Sequence, residues 1–102
     1  MSQLHTVNKS PLDRNALESA VSHATKGSAV LMIEDGVYGA MKGTLKSAVV
    51  SDAMGDISFY VMGPDLKARG IDEGKLIDGI NIVDYKGFVD LVAEHDATQS
   101  WL

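Results

Sequence analysis

An uninterrupted apolar run, Ala29-Val30-Leu31-Met32-Ile33, is the feature that most limits how this chain can fold. A strand with one face in water alternates apolar and polar residues, whereas this run contains no polar residue at all. Its β-branched members, Val30 and Ile33, favour a strand over a helix. The pattern is typical of a strand covered on both faces, as in a parallel sheet flanked by helices. We therefore predict a layered α/β domain.

Further runs of similar character supply the rest of the predicted sheet. Residues 4–7, 57–62 and 80–83 are β-branched or apolar and end at Gly, Pro, Asn or Asp. The sheet is thus predicted to have four strands, or five if the very short segment 99–102 joins it.

Helical patterns separate these strands. The first helix is predicted to begin at Ser10, whose hydroxyl could cap it, with Pro11 at its first position, and to end near Gly27. Residues 37–41, 45–54 and 65–69 give shorter helical patterns, and residues 85–95 give a longer one. Because strands and helices alternate, we expect one domain over residues 1–102. It is a mostly parallel sheet with helices on both faces, in a Rossmann-like or flavodoxin-like layering.

Composition excludes several functions. With 102 residues the chain is long enough for one core, and with no cysteine it can form no disulfide and carry no thiol chemistry of its own. The 9 basic and 14 acidic side chains give a net charge of -5, which argues against direct binding to nucleic acid. No signal peptide or membrane-length apolar run is present, so we expect a cytoplasmic protein.

The turns that follow the strands are where a ligand or partner would meet a parallel sheet. The candidates in these turns are Asn8, Lys9, Ser10, Asp35, Gly36 and Asp65. They are poor in cations, and neither a dinucleotide-binding nor a phosphate-loop glycine motif occurs, so a nucleotide enzyme is not expected. Asp35-Gly36 is interpreted first as a turn that supplies left-handed geometry and a helix cap, and Lys9 as a solvated lysine.

The three histidines suggest no metal site. His5 lies within the first predicted strand, where a structural role is more common than ligation, while His23 and His95 are far apart on different helices. We predict neither a metal nor a cofactor. Trp101-Leu102 is a different candidate, because an apolar pair at the end of a chain either packs back onto its domain or is buried in a partner. Both interpretations are open.

Five strings of the sequence together resemble the DsrH/TusB family of sulfur-relay proteins. They are LHTVNKSP at residues 4–11, VLMIEDGVY at 30–38, GPDLKARG at 63–70, VDY with GFVDL at 83–91, and the terminal QSWL. The resemblance spans nearly the whole chain and is closer to DsrH, through GPDLKARG and VNKSP, than to TusB. No single string is a catalytic signature; their order and spacing carry the resemblance.

The resemblance implies a DsrE-like fold and a place in a cytoplasmic hetero-hexamer. Its partners would be DsrE/TusD-like and DsrF/TusC-like subunits, with two copies of each, and a DsrC/TusE-like acceptor would receive persulfide sulfur. The process served would be sulfur oxidation for a DsrH-like chain, or the thiolation of tRNA to 2-thiouridine for a TusB-like one.

One departure from the family pattern matters for chemistry. DsrH members carry a cysteine on the first helix, and the matching position here is Ala20. Alanine has no sulfur with which to attack or hold a sulfane atom, so no catalytic residue is predicted, and the chain is expected to act structurally or in recognition. Two alternatives are open: a catalytic subunit in which Ala20 replaces a natural cysteine, and an independent small-molecule-binding domain.

Overall fold

The computed structural model describes residues 2–102. Five strands form one sheet in the order β4-β3-β2-β1-β5, and every neighbouring pair is parallel. The strands are Gln3–Val7 (β1), Ala29–Met32 (β2), Ser58–Met62 (β3), Asn81–Val83 (β4) and Ala97–Trp101 (β5).

Helices connect the strands. The α-helices are Ala16–His23 (α1), Ser47–Ser51 (α2), Gly63–Ala68 (α3) and Tyr85–Glu94 (α4), and two 3₁₀ helices span Glu34–Ala40 and Glu73–Lys75. Within residues 2–102, none of these helices has the length and apolar character needed to cross a membrane.

The strand order explains how the helices are layered. The chain moves in one direction from β1 to β4, so right-handed crossovers place α1, α2 and α3 on the same face of the sheet. The last connection runs from β4 back past β1 to β5, and the same handedness places α4 on the opposite face. Two buried clusters follow, a larger one beneath α1 to α3 and a smaller one beneath α4. The predicted α/β fold with helices on both faces is confirmed, and its sheet is parallel throughout.

Strand β2 is the centre of the sheet. Its side chains alternate between the two clusters: Val30 and Met32 face α1 to α3, whereas Ala29 and Leu31 face α4. All four residues are buried. The double-sided cover predicted from the apolar run is therefore present.

The predicted start of the first helix is wrong. Ser10 and Pro11 form a turn, in which the Ser10 carbonyl accepts hydrogen bonds from Asp13 and Arg14 and its hydroxyl accepts one from the backbone N–H of Leu12. Helix α1 begins only at Ala16 and ends at His23, before Gly27. Leu12, expected on the buried stripe, is 59% exposed. The local capping signal at Ser10 is real, but it stabilises a turn and does not start the helix.

The fifth strand is a full member of the sheet. β5 pairs with β1 from Gln3 opposite Ala97 to Val7 opposite Trp101, and the Thr6 and Ser100 hydroxyls are hydrogen bonded at 3.2 Å. It begins two residues earlier than the short segment predicted from the sequence.

Candidate functional site: the carboxyl edge of the sheet

All five strands end at one edge of the sheet because all are parallel, and the predicted site residues lie there. Asn8, Lys9 and Ser10 follow β1, Asp35 and Gly36 follow β2, and Asp65 lies in α3 directly after β3. The structure thus brings these segments to the same edge. Hydrogen bonds join the segments that follow β1, β2 and β3 to one another.

Gly36 lies against the end of β1. A Cβ atom built on Gly36 would be 2.0 Å from the carbonyl oxygen of Val7 and 3.4 Å from Cα of Asn8. No side chain fits in this space, so the turn after β2 requires glycine for close backbone approach. The expectation that Asp35-Gly36 supplies left-handed geometry is wrong by position, because within residues 2–102 the non-glycine residue with positive φ is Glu34, at 49°.

Asp65 holds the unusual backbone of Glu34. Its carboxylate Oδ2 accepts a hydrogen bond of 2.9 Å from the Glu34 backbone N–H. A left-handed conformation is unfavourable for a residue with a side chain, and contacts such as this one keep it in place. The first turn of α3 is therefore fixed to the turn after β2.

Arg69 completes this connection. Its Nε and Nη2 atoms both lie 2.9 Å from Oδ1 of Asp35, and Nη1 lies 3.8 Å from Oδ1 of Asp65, one helical turn earlier. The two acids and the arginine thus link GPDLKARG to the IEDG segment. Sequence reasoning named Asp35 and Asp65 but missed Arg69 and Glu34. The spacing of four residues between Asp65 and Arg69 was the available signal.

The turn after β1 is connected less directly. Lys9 is exposed, as expected of a solvated lysine, and Ser10 is buried in its own turn. The side-chain oxygen of Asn8 is buried and has no hydrogen-bond partner within residues 2–102. Contact with the other segments is made through the backbone, where the N–H of Ile33 donates to the carbonyl of Val7 at 2.9 Å.

A cleft opens beside this network, between the ends of β2 and β3 and helices α3 and α4. Its volume is about 240 Å³, and it is lined by Ile33, Glu34, Met62, Asp65, Tyr85 and Phe88. The lining combines the two carboxylates of Glu34 and Asp65 with two aromatic rings.

Ala20 lies on the buried side of α1. It is fully buried, in the same cluster as Val7 and Leu17, with Trp101 packed against that cluster. A methyl group therefore fills the position at which the resemblance places a cysteine. Because position 20 is enclosed by the domain's own core, it offers no exposed surface to an incoming sulfur carrier.

Trp101 packs onto its own domain. Its indole N–H donates a 2.9 Å hydrogen bond to Nδ1 of His5, and its ring centroid lies 5.2 Å from that of His23. Leu102, by contrast, is 81% exposed. Trp101 thus packs back onto its own domain, and contact of Trp101 or Leu102 with a partner stays a prediction.

His5 is buried, and only one of its two ring nitrogens has a hydrogen-bond partner within residues 2–102. Its Nδ1 accepts from Trp101, so the proton of the neutral ring is on Nε2, which is buried without a partner among residues 2–102. Burial lowers the pKa of His5 below its ordinary value, and the nearby His23 lowers it further. The ring is therefore held neutral, which keeps Nδ1 available to the indole.

An apolar stripe runs along the outer side of α4. Tyr85, Val89 and Val92 recur at helical spacing and are exposed, Tyr85 by 66% and Val89 by 65%. Phe88 and Ala93 join the two valines in lining a shallow, almost wholly apolar groove. Exposed apolar side chains grouped in this way are typical of a surface that binds another protein. We call Tyr85, Val89 and Val92 the α4 stripe.

Residues 2–102 contain no group of three or more histidine, aspartate or glutamate residues arranged to hold a metal ion. The fold is a small parallel α/β domain in which Asp35, Asp65 and Arg69 join the segments that follow β2 and β3.

The chain belongs to the DsrH-like family. The family described as "DsrH like protein" matches residues 9–98. Protein TusB of Pectobacterium parmentieri is 30% identical over 99 residues, which cover 96% of this chain and 99% of that protein. Protein TusB of Shigella flexneri is 33% identical over 100 residues with the same coverage. The predicted membership of the DsrH/TusB family is confirmed.

Solved structures agree on the fold. A protein of unknown function from Methanobacterium thermoautotrophicum superimposes with a TM-score of 0.79 at 17% identity, over 97% of each chain. The ychN protein of E. coli superimposes with a TM-score of 0.75 at 14% identity, over 99% of this chain and 100% of that one. At such identities the likeness concerns the fold alone.

Proposed function

We propose that this protein is a non-catalytic subunit of a cytoplasmic sulfurtransferase complex that relays persulfide sulfur between partner proteins. The match to the DsrH-like family over residues 9–98 is the observation that carries the proposal. The absence of cysteine from the whole sequence assigns the sulfur-carrying thiol to another subunit. In this proposal Ala20 keeps the packing of the first helix and has no chemical role.

The α4 stripe is the proposed contact with a DsrE-like or DsrF-like subunit. Burying a side chain of valine or tyrosine size contributes roughly 1.5 to 3 kcal/mol by area, before the cost of ordering. Val89 and Tyr85 are each about two-thirds exposed, so most of that contribution is available to a partner. Leu102 and the cleft beside Glu34 and Asp65 are proposed to contribute to partner or acceptor recognition.

Co-expression with DsrE-like and DsrF-like partners tests this assignment. We expect the three chains to elute as one species and the variant Val89→Asp to weaken that assembly, because a carboxylate in an apolar contact must lose its water. Leu45→Asp is the matched control, since Leu45 is 93% exposed and lies outside the α4 stripe. Equal assembly of both variants would remove the stripe from the interface, and a chain that stays apart from folded partners would refute the subunit assignment.

Two processes are candidates for the one that this relay serves. The strings GPDLKARG and VNKSP favour a DsrH-like place in sulfur oxidation, with a DsrC-like acceptor. Relatives that bear the name TusB favour a relay that ends in 2-thiouridine of tRNA. Expression of this chain in a bacterium lacking its own TusB tests the second, because restored 2-thiouridine in hydrolysed tRNA supports it and unchanged tRNA counts against it.

A further inference from the structure

Strand β5 forms an open edge of the sheet. It is the last strand in the order, so it is hydrogen bonded on one side to β1 and has no neighbouring strand on the other. Residues Ala97 to Ser100 are exposed. The outward backbone N–H and C=O groups of such a strand are a template on which another strand can pair.

This edge lacks the features by which proteins usually prevent such pairing. β5 has five residues and contains no charged residue, no proline and no glycine. The opposite edge differs, since β4 has only three residues, too few for a stable additional ladder. Only one of the two edges is therefore suited to accept a strand.

We propose that the β5 edge pairs with the β5 edge of a second copy of this chain, in an antiparallel ladder centred on Gln99. The two five-stranded sheets would then be continuous. In the register that uses the whole strand, Gln99 lies opposite its counterpart, Thr98 lies opposite Ser100, and Ala97 lies opposite Trp101. A twofold axis relates the copies, so the same surface serves on both sides and the assembly closes as a dimer.

The sequence of β5 is complementary to itself in this register. The smallest side chain of the strand faces the largest, two small hydroxyl residues face each other, and a neutral amide lies on the axis. No like charges are opposed within the strand, although the chain carries a net charge of -5. Asp96, the acid nearest to the ladder, lies outside it and binds the backbone N–H of Ser2 at 3.0 Å.

Trp101 orders the C-terminal end of β5. Its indole is fixed to His5 and packs beside His23, on the domain's own surface, so the end of β5 is ordered before a second copy arrives. Ordering a strand in advance lowers the entropy lost on association. The pairing uses the main chain of β5 and not the α4 stripe, so it goes beyond the proposed function and does not depend on it.

Single-cysteine variants test the register directly, because the natural chain contains no cysteine. We expect Gln99→Cys to form a disulfide-linked dimer rapidly under mild oxidation, since residues opposite each other in an antiparallel pair have Cβ atoms about 4.5 to 5.5 Å apart. Ser51→Cys, at the exposed end of α2, is the matched control. Cross-linking of Gln99→Cys no faster than Ser51→Cys would overturn the proposal.

Charge substitutions at the same position give a second, independent test. We expect the unmodified chain to be a dimer by light scattering, Gln99→Lys and Gln99→Glu each to be monomeric, and an equimolar mixture of the two variants to form a dimer again. Circular dichroism verifies that both variants fold. A monomeric unmodified chain at high micromolar concentration, or a dimer that persists in both charged variants, would overturn the proposal.

Discussion

The indole N–H of Trp101 donates a 2.9 Å hydrogen bond to Nδ1 of His5, across 96 residues of sequence. This bond joins the last strand to the first, and it requires a neutral histidine whose Nδ1 carries no proton. The C-terminal end of β5 is therefore held in place by an ionisable group whose pKa is lowered by burial.

Replacing the indole should reveal what the bond contributes. We expect Trp101→Phe to lower the free energy of unfolding by about 1 to 3 kcal/mol, because it keeps an aromatic ring but leaves Nδ1 of the buried His5 without its donor. Urea unfolding followed by circular dichroism measures the change. Tyr85→Phe, at an exposed position, is the control. Equal stability of the two variants would mean that the hydrogen bond contributes nothing.

Stability should depend on pH through His5. Its pKa is lowered in the folded state, chiefly by burial and then by His23, whereas the unfolded chain binds the proton near the ordinary value of about 6.5. The free energy of unfolding is therefore highest above that pH and decreases as the pH falls below it. The reason is that His5 binds a proton more readily in the unfolded state than in the folded state.

His5→Gln should reduce this dependence, since the amide oxygen can accept from Trp101 but does not titrate. Urea unfolding at several pH values between about 7.5 and 5.5, an interval that spans the ordinary histidine pKa of about 6.5, gives the slope for each chain. His95→Gln is the comparison, because the His95 ring is hydrogen bonded to the Leu91 carbonyl and lies outside this contact. If His5→Gln keeps the slope of the unmodified chain, the protonation of another group is responsible.

The approach of Gly36 to Val7 predicts a large effect from a single methyl group. We expect Gly36→Ala to lower the free energy of unfolding by about 3 kcal/mol or more, because the new Cβ would lie 2.0 Å from a backbone carbonyl oxygen. Gly55→Ala is the matched control, since a Cβ there meets nothing within 4 Å. A small effect at Gly36 would require the turns after β1 and β2 to move apart freely.

Asp65 is predicted to stabilise the turn after β2 through its hydrogen bond with Glu34. We expect Asp65→Ala to cost about 1 to 3 kcal/mol, because the N–H of Glu34 loses its acceptor while its backbone remains in the left-handed region. Asp78→Ala, at an exposed aspartate, is the control. Hydrogen exchange provides a local readout: the Glu34 amide should exchange faster in Asp65→Ala, and unchanged exchange would contradict the assigned bond.

The sequence predicted those parts of the fold that depend on local patterns. β2 was predicted because a run without polar residues requires cover on both faces, and α4 was predicted from its apolar spacing. The start of α1 was predicted wrongly, because the Ser10-Pro11 signal stabilises a turn and the helix begins only at Ala16. Local signals cannot distinguish a capped helix from a capped turn.

The contacts among Glu34, Asp35, Asp65 and Arg69 show that local patterns are also too little to predict the candidate site. Asp65 and Arg69 are four residues apart and suggested one helical turn, but their partners Glu34 and Asp35 lie 31 and 34 residues away along the chain. Only the parallel pairing of β2 with β3 brings these segments together. Likewise, the positive φ of Glu34 has no signature in a single sequence, because glycine is the residue normally expected there.

The central claim is that this chain takes part in sulfur relay without carrying sulfur itself. Intact-mass spectrometry of the co-purified complex, after exposure to a sulfane-sulfur donor, tests it most directly. We predict that a cysteine-bearing partner gains a sulfur atom that a thiol reductant removes, while the mass of this cysteine-free chain is unchanged. A stoichiometric gain of sulfur on this chain, assigned to any of its residues, would contradict the account.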